Sequence, residues 1–172
     1  IDYFRAWSGT ATTPPSPVIS GNFYQIKDKK YNKALHESTQ VFPSNTDGQY
    51  TIVFTPTSSY DSQKWKATST SNGYYRFAAK SSNKNLHESA EIYTSNSDGQ
   101  HVISFPIQSN SNRQQWKPID LGGGYYRLQN KNTGKSLHSS NEVYSTNSNG
   151  YYAIGFPSSS GDGQKWKFTQ TN

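Results

Sequence analysis

The 172-residue chain contains no cysteine and no methionine. That excludes a disulfide framework, a thiolate nucleophile and a thiolate metal site. Stability must come from packing, and a domain of this length is large enough to bury a core. No apolar run approaches the ~20 residues of a membrane-spanning helix. Apolar residues make up only 30% of the chain and charged residues 16%. Lysine and arginine outnumber the acids, for a formal net charge of +6, but they form no run, which argues against a nucleic-acid partner. The chain opens on Ile1 with no leader-like segment. The simplest expectation is a processed or excised piece of an exported protein, secreted and not membrane-bound.

Aromatics are plentiful instead: 13 Tyr, 8 Phe and 4 Trp, set among Ser, Asn, Thr, Gln and Gly. These residues favour short strands and turns over helices, so the fold class is all-β. Repetition then decides the architecture. Leu35-His36, Leu86-His87 and Leu137-His138 recur at a 51-residue step. The same step relates Tyr24, Tyr75 and Tyr126; Gly48, Gly99 and Gly150; and Phe54, Phe105 and Phe156. Trp65 and Trp116 keep it, while Trp166 comes one residue early, which predicts a shorter surface loop in the third copy. Each copy carries about four strand-like stretches between turn signals. Three units of four strands, about twelve in all, is the count of a pseudo-three-fold β-trefoil rather than of a propeller. The repeats span 21–71, 72–122 and 123–172.

Each copy ends in a Q-x-W motif: Gln63-Lys64-Trp65, Gln114-Gln115-Trp116 and Gln164-Lys165-Trp166. With the run Tyr125–Leu137, these motifs resemble ricin B-chain-type lectin repeats over about nine-tenths of the chain. The sequence is similar to the family 13 carbohydrate-binding modules and, more loosely, to family 92. The resemblance implies a β-trefoil that binds sugar without catalysis or cofactor. Lectins of that type place an Asp after the Leu of the middle motif and an Asn just before Q-x-W. Here those places hold His36, His87 and His138, and Ser62, Arg113 and Gly163. The family's usual galactose contacts are therefore not to be carried over. A large ring repeated three times suits the centre of the barrel, and its indole N–H needs a buried acceptor. Ile52, Ile103, Ile154 and Phe54, Phe105, Phe156 read as core, alternating with variable Val53, Ser104 and Gly155.

Residues 10–20 form a Thr/Pro linker, extended and semi-rigid. Before it, Ile1-Asp2-Tyr3-Phe4-Arg5-Ala6-Trp7 resembles the closing strand of a family 16 glycoside hydrolase. On that reading 1–9 is the tail of an upstream polysaccharide-degrading domain; otherwise it is an N-terminal strand packed on a free lectin.

A sugar site needs an aromatic face, hydrogen-bonding groups for paired hydroxyls, and a cleft holding both. Strand alternation turns His36, His87 and His138 outward from their core leucines. Three matched outward imidazoles fit sugar contact or the bracing of a loop. Metal ligation is disfavoured because three-fold symmetry spreads them apart. Gln40, Glu91 and Glu142 could accept sugar hydroxyls. Phe42, Tyr93 and Tyr144 are stacking platforms or the packing of a hairpin, and Tyr50, His101 and Tyr152 could line the same cleft. Lys33, Lys84 and Lys135 precede each histidine by three residues. Facing the cleft, they would favour a sulphated or carboxylated polymer; facing water, they only aid solubility.

The expected partner is thus a polysaccharide or oligosaccharide, and the expected state a monomer within a multidomain secreted enzyme. A hydrolase needs two converging carboxylates, and no such pair repeats. Serine-hydrolase and zinc-protease motifs are also missing. A free agglutinin and a trefoil protease inhibitor are the remaining alternatives. The inhibitor fits less well, because one inhibitory loop gives no reason for polar positions to repeat.

Overall fold

The computed structural model describes residues 17–172. Residues 1–16 lie outside the described part, and with them the Ile1–Trp7 strand and most of the Thr/Pro linker. Twelve strands follow in three matched sets. They are β1 (Phe23–Asp28), β2 (Ala34–Phe42), β3 (Asn45–Phe54) and β4 (Trp65–Ser69); β5 (Tyr75–Ala79), β6 (Asn85–Ile92), β7 (Gln100–Phe105) and β8 (Trp116–Asp120); β9 (Tyr126–Asn130), β10 (Ser136–Val143), β11 (Tyr151–Phe156) and β12 (Trp166–Thr171).

The first and fourth strands of each set close a barrel. β1 pairs with β12 and β4, β5 with β4 and β8, and β9 with β8 and β12, all antiparallel. The middle strands form three hairpins joined in a triangle over one barrel end, through β3–β7, β7–β11 and β11–β3. This is a β-trefoil of three units. Closure leaves the barrel without an open sheet edge.

The Q-x-W motifs explain how each unit is built. Trp65, Trp116 and Trp166 are fully buried. Their indole N–H groups donate to the carbonyls of Leu35, Leu86 and Leu137, each at 2.9 Å. The glutamines are fully buried too and staple the preceding loop. Gln63 donates to Thr55 O and accepts from Thr57 N–H, both at 2.8 Å. Gln114 and Gln164 do the same with Pro106 and Gln108, and with Pro157 and Ser159. In the third unit one residue fewer separates the glutamine from its two loop partners, which accommodates the early Trp166.

Seams between units are packed with equal regularity. A Cβ on Gly48, Gly99 or Gly150 would come within 2.9, 3.3 and 3.1 Å of Ile103, Ile154 and Ile52 Cδ1, an isoleucine of a neighbouring unit in each case. These glycines are repeated because hairpin tips lie flat on a neighbour. The seams also carry buried polar latches. The Glu37 carboxylate accepts from the hydroxyls of Ser81 and Ser82. Glu88 accepts from Thr133 at 2.7 Å. At the third seam the carboxylate comes from the other side, as Ser139 donates to Asp28 at 2.9 Å.

One sequence expectation changes. Val53, Ser104 and Gly155 are buried, while Phe54, Phe105 and Phe156 are only half-buried. In β3, β7 and β11 the face expected to look outward is buried, with Val53 in the main core, and the phenylalanines stand on the other face at the clefts.

Candidate functional site

Three matched clefts of about 350 to 410 Å³ open between neighbouring units. In each, one unit supplies a histidine, a serine two residues on and a phenylalanine; another unit supplies a hairpin tip. The first cleft joins His36, Ser38, Phe54 and Tyr60 to Tyr144, Thr146 and Asn147. The second joins His87, Ser89, Glu91, Phe105 and Arg113 to Phe42, Ser44 and Asn45. The third joins His138, Ser140, Glu142 and Phe156 to Tyr93, Ser95 and Asn96. No single repeat contains a whole site.

The imidazoles are held from behind. The leucine before each histidine accepts the Trp indole bond, so the Q-x-W motif fixes the backbone that aims the ring. Each imidazole lies 5.2 to 5.5 Å, centroid to centroid, from the matched Phe54, Phe105 or Phe156. Nδ1 of His36 meets the Ser62 hydroxyl at 3.2 Å, while Nδ1 of His87 and His138 is buried without a partner. No hydrogen bond found among the described residues uses the other ring nitrogen, Nε2, and each of the three histidines lines its cleft. Burial pushes His87 and His138 down to about 4, helped by the charges of Arg113 and Lys30 respectively. Burial lowers His36 as well. All three are neutral near pH 7, which suits hydrogen bonds to hydroxyls better than ion pairing.

The acceptors at the cleft rim are oriented by the opposing hairpin tip. Gln40 Oε1 accepts from Tyr144 at 2.6 Å and Thr146 at 3.2 Å. Glu142 accepts from Tyr93 at 2.5 Å and from Ser95, and these bonds hold its carboxyl below the usual range. Glu91 accepts from Ser44 at 2.8 Å but faces Phe42, which has no hydroxyl to give.

Two sets of expected contacts stand elsewhere. Phe42, Tyr93 and Tyr144 are only 2 to 4% exposed. They present an edge to the clefts and are not open platforms, because their faces pack against Tyr50, His101 and Tyr152 in a rosette on the three-fold axis, with centroids 5.1 to 6.4 Å apart. Tyr50, His101 and Tyr152 accordingly lie on the axis and outside all three clefts. Lys33 donates to Asn149 O and Lys84 to Gln49. With Lys135 they lie outside the cleft linings, so the clefts do not carry the repeated cation expected of them. The aromatic walls Phe54, Phe105 and Phe156 read as core in the sequence, although they recur at the same step as the histidines.

A family model described as ricin-type β-trefoil lectin domain-like matches residues 16–105, 91–151 and 112–172. The chain belongs to the ricin-type β-trefoil lectin-like family. Among solved structures, the designed three-fold symmetric protein ThreeFoil is 30% identical, with a TM-score of 0.70 over 86% of this chain and 97% of its own. The exo-β-1,3-galactanase 1,3Gal43A from Clostridium thermocellum is 23% identical, with a TM-score of 0.69 over 87% of this chain and 30% of its own. The Polyporus squamosus lectin, solved with a sialylated influenza-binding epitope, is 14% identical, with a TM-score of 0.70 over 89% of this chain and 50% of its own. No curated protein matches the sequence. Membership of this family supports carbohydrate binding in general, and the likeness to the less similar structures supports the fold. Among the described residues there is no group of three metal-ligating side chains.

Proposed function

We propose that this ricin-type lectin-like trefoil is a non-catalytic carbohydrate-binding module that grips one long polysaccharide through its three inter-repeat clefts. The observation that carries this reading is the matched construction of those clefts. Each sets a neutral imidazole nitrogen, an amide or carboxylate acceptor and an aromatic wall around an open space. A pyranose needs that combination: C–H faces pack on the ring of Phe54, Phe105 or Phe156, and paired hydroxyls meet His Nε2 and the side chain of Gln40, Glu91 or Glu142. Single exposed sugar sites bind at about 10 μM to 1 mM. Three on one polymer gain through effective concentration, which gives the triplication a purpose.

The finer reading is a secreted monomeric module appended to a polysaccharide-degrading enzyme. Its target is a galactan or β-glucan of an algal or microbial wall. The resemblance of Ile1–Trp7 to a hydrolase strand supports the appendage, as does the galactanase whose chain includes a trefoil of this kind.

Affinity electrophoresis through agar, carrageenan, laminarin and xylan tests both levels. Retardation in at least one gel is expected, modestly reduced by each single His→Ala change and abolished by the triple change. Undiminished retardation of the triple variant removes the clefts from the function. Inhibition of a protease with no retardation in any gel replaces the reading with the inhibitor alternative.

A further inference from the structure

The repeated lysines are not in the clefts, and the location of some of them points to a second kind of site. On the barrel wall Phe23, Tyr74 and Tyr125 occupy matched positions and are half-buried. Each has a lysine ammonium near its ring: Lys80 at 5.6 Å from Phe23, Lys131 at 5.3 Å from Tyr74 and Lys29 at 5.6 Å from Tyr125. Two of these lysines are ion-paired, each through an aspartate that it shares with a second lysine, Lys165 at Asp162 and Lys64 at Asp61. Lys29 pairs with Asp162 at 3.2 Å and Lys80 with Asp61 at 3.4 Å. The matched place beside Tyr74 holds Asn112 instead of an aspartate. A second ammonium, that of Lys117, also lies 5.7 Å from the Tyr74 ring. No carboxylate among the described residues pairs with Lys117 or Lys131. Lys131 leans on a neutral acceptor, Gln115 Oε1 at 3.0 Å, which also takes the Thr70 hydroxyl at 3.1 Å.

We propose that Tyr74, Lys117 and Lys131 form an anion site on the barrel wall that takes a sulphate or carboxylate substituent of an acidic polysaccharide. It is separate from the three clefts and rests on the carbohydrate reading only for the class of polymer. Two uncompensated ammoniums at one ring hold an anionic group as point charges, while the exposed part of the phenol gives the sugar ring an apolar face. A nucleic acid fits less well. It needs a track of cations at phosphate spacing, and here a carboxylate, Asp61 or Asp162, stands among the lysines beside each of the two neighbouring rings.

The probes are chondroitin sulphate, polygalacturonate, neutral agarose and a single-stranded oligonucleotide of equal charge density, each run in affinity electrophoresis at low salt. K117E/K131E is expected to bind the two acidic polysaccharides about tenfold more weakly, the usual worth of losing charge-assisted contacts, with neutral-gel retention unchanged. N112D restores the aspartate found in the sister units and keeps the acceptor for Gln115. It should weaken binding by about two- to threefold with both lysines still in place, the size of an exposed ion pair. Unchanged migration of K117E/K131E on both acidic polymers overturns the proposal. Oligonucleotide binding of equal strength that falls in parallel overturns the polysaccharide as occupant. Lysine-dependent binding of acidic polymers with no neutral gel retained would uphold this site while refuting the cleft reading.

Discussion

Exchanging two residues at one seam for those of another tests whether the trefoil's seams are built by volume matching. The Glu88 side chain is fully buried in β6 and lies directly against Gly155 in β11. A Cβ on Gly155 would sit 3.0 Å from Glu88 Cδ and closer still to Oε1. The positions matched to this pair are Ser139 with Val53 and Glu37 with Ser104, so a bulky partner on one strand faces a small one on the other. Gly155→Val alone should overpack the seam and cost about 2 to 3 kcal/mol. Glu88→Ser alone loses the Thr133 bond and leaves a void, but it also removes the unpartnered Oε1. These terms partly offset, for a net cost of about 1 to 2 kcal/mol. The double variant recreates the Ser139–Val53 pairing, and Asn130 stands where Asp28 meets Ser139. Urea unfolding at pH 7 should give a coupling of at least about 1 kcal/mol in favour of the double variant. Additivity within about 0.5 kcal/mol would show that the two side chains do not share a volume, and the seam argument would fail.

Burial pushes the Glu88 carboxyl above its ordinary value of 4.5. A group raised in the folded state contributes stability below its unfolded pKa and loses it as pH rises through the folded one. Glu88→Gln should therefore stabilise the protein near pH 7, and the gain should vanish below about pH 4, as read by thermal melts across that range. Tyr93→Phe removes a donor from Glu142, so the Glu142 carboxyl should titrate higher by NMR. Trp116→Phe leaves the buried Leu86 carbonyl without its 2.9 Å donor, at a cost of about 1 to 3 kcal/mol in urea unfolding. The same change should weaken sugar binding at the second cleft, because Leu86 positions His87.

The fold was legible because symmetry multiplies weak signals. One Leu-His pair says little, but three at a constant step, each followed by Q-x-W, define a unit, its number and its closure. The site was only half legible. Alternation along β2, β6 and β10 does turn the histidines away from their leucines, and Glu91 and Glu142 line the same clefts, whereas Gln40 only bonds to Tyr144 and Thr146 of the first. Which aromatic becomes the wall is a different question, decided between units. Phe42 and Phe54 sit at opposite ends of one hairpin with similar neighbours in sequence. One is sealed by Tyr50 and His101 from the axis, while the other is left at a cleft because alternation turns Val53 into the core. Nothing within a single repeat distinguishes them. The lysines misled for the same reason. Lys33 lies three residues from His36, yet its ammonium reaches across a seam to the third repeat.

The clefts share a backbone and a histidine but differ in the residue before the glutamine of Q-x-W. At that position Ser62 engages His36, whereas Arg113 donates to the carbonyls of Glu88 and Ser89 and brings a cation to the second cleft. Gly163 leaves room for nothing: a Cβ there would come within 2.9 Å of His138 Cε1. The same position therefore tunes the imidazole by a hydroxyl, by a charge, or by close packing alone. Rim chemistry diverges in parallel, from the neutral Gln40 to the doubly braced Glu142 and the less restrained Glu91. Three equal sites on a polymer would reward identical residues, since avidity then depends only on spacing. On the proposed reading, divergence at residues that touch the cleft, while Trp, Leu and His stay fixed behind it, fits sites that each meet a different part of the ligand. On that reading symmetry belongs to the scaffold, and selectivity to the cleft positions where symmetry is broken.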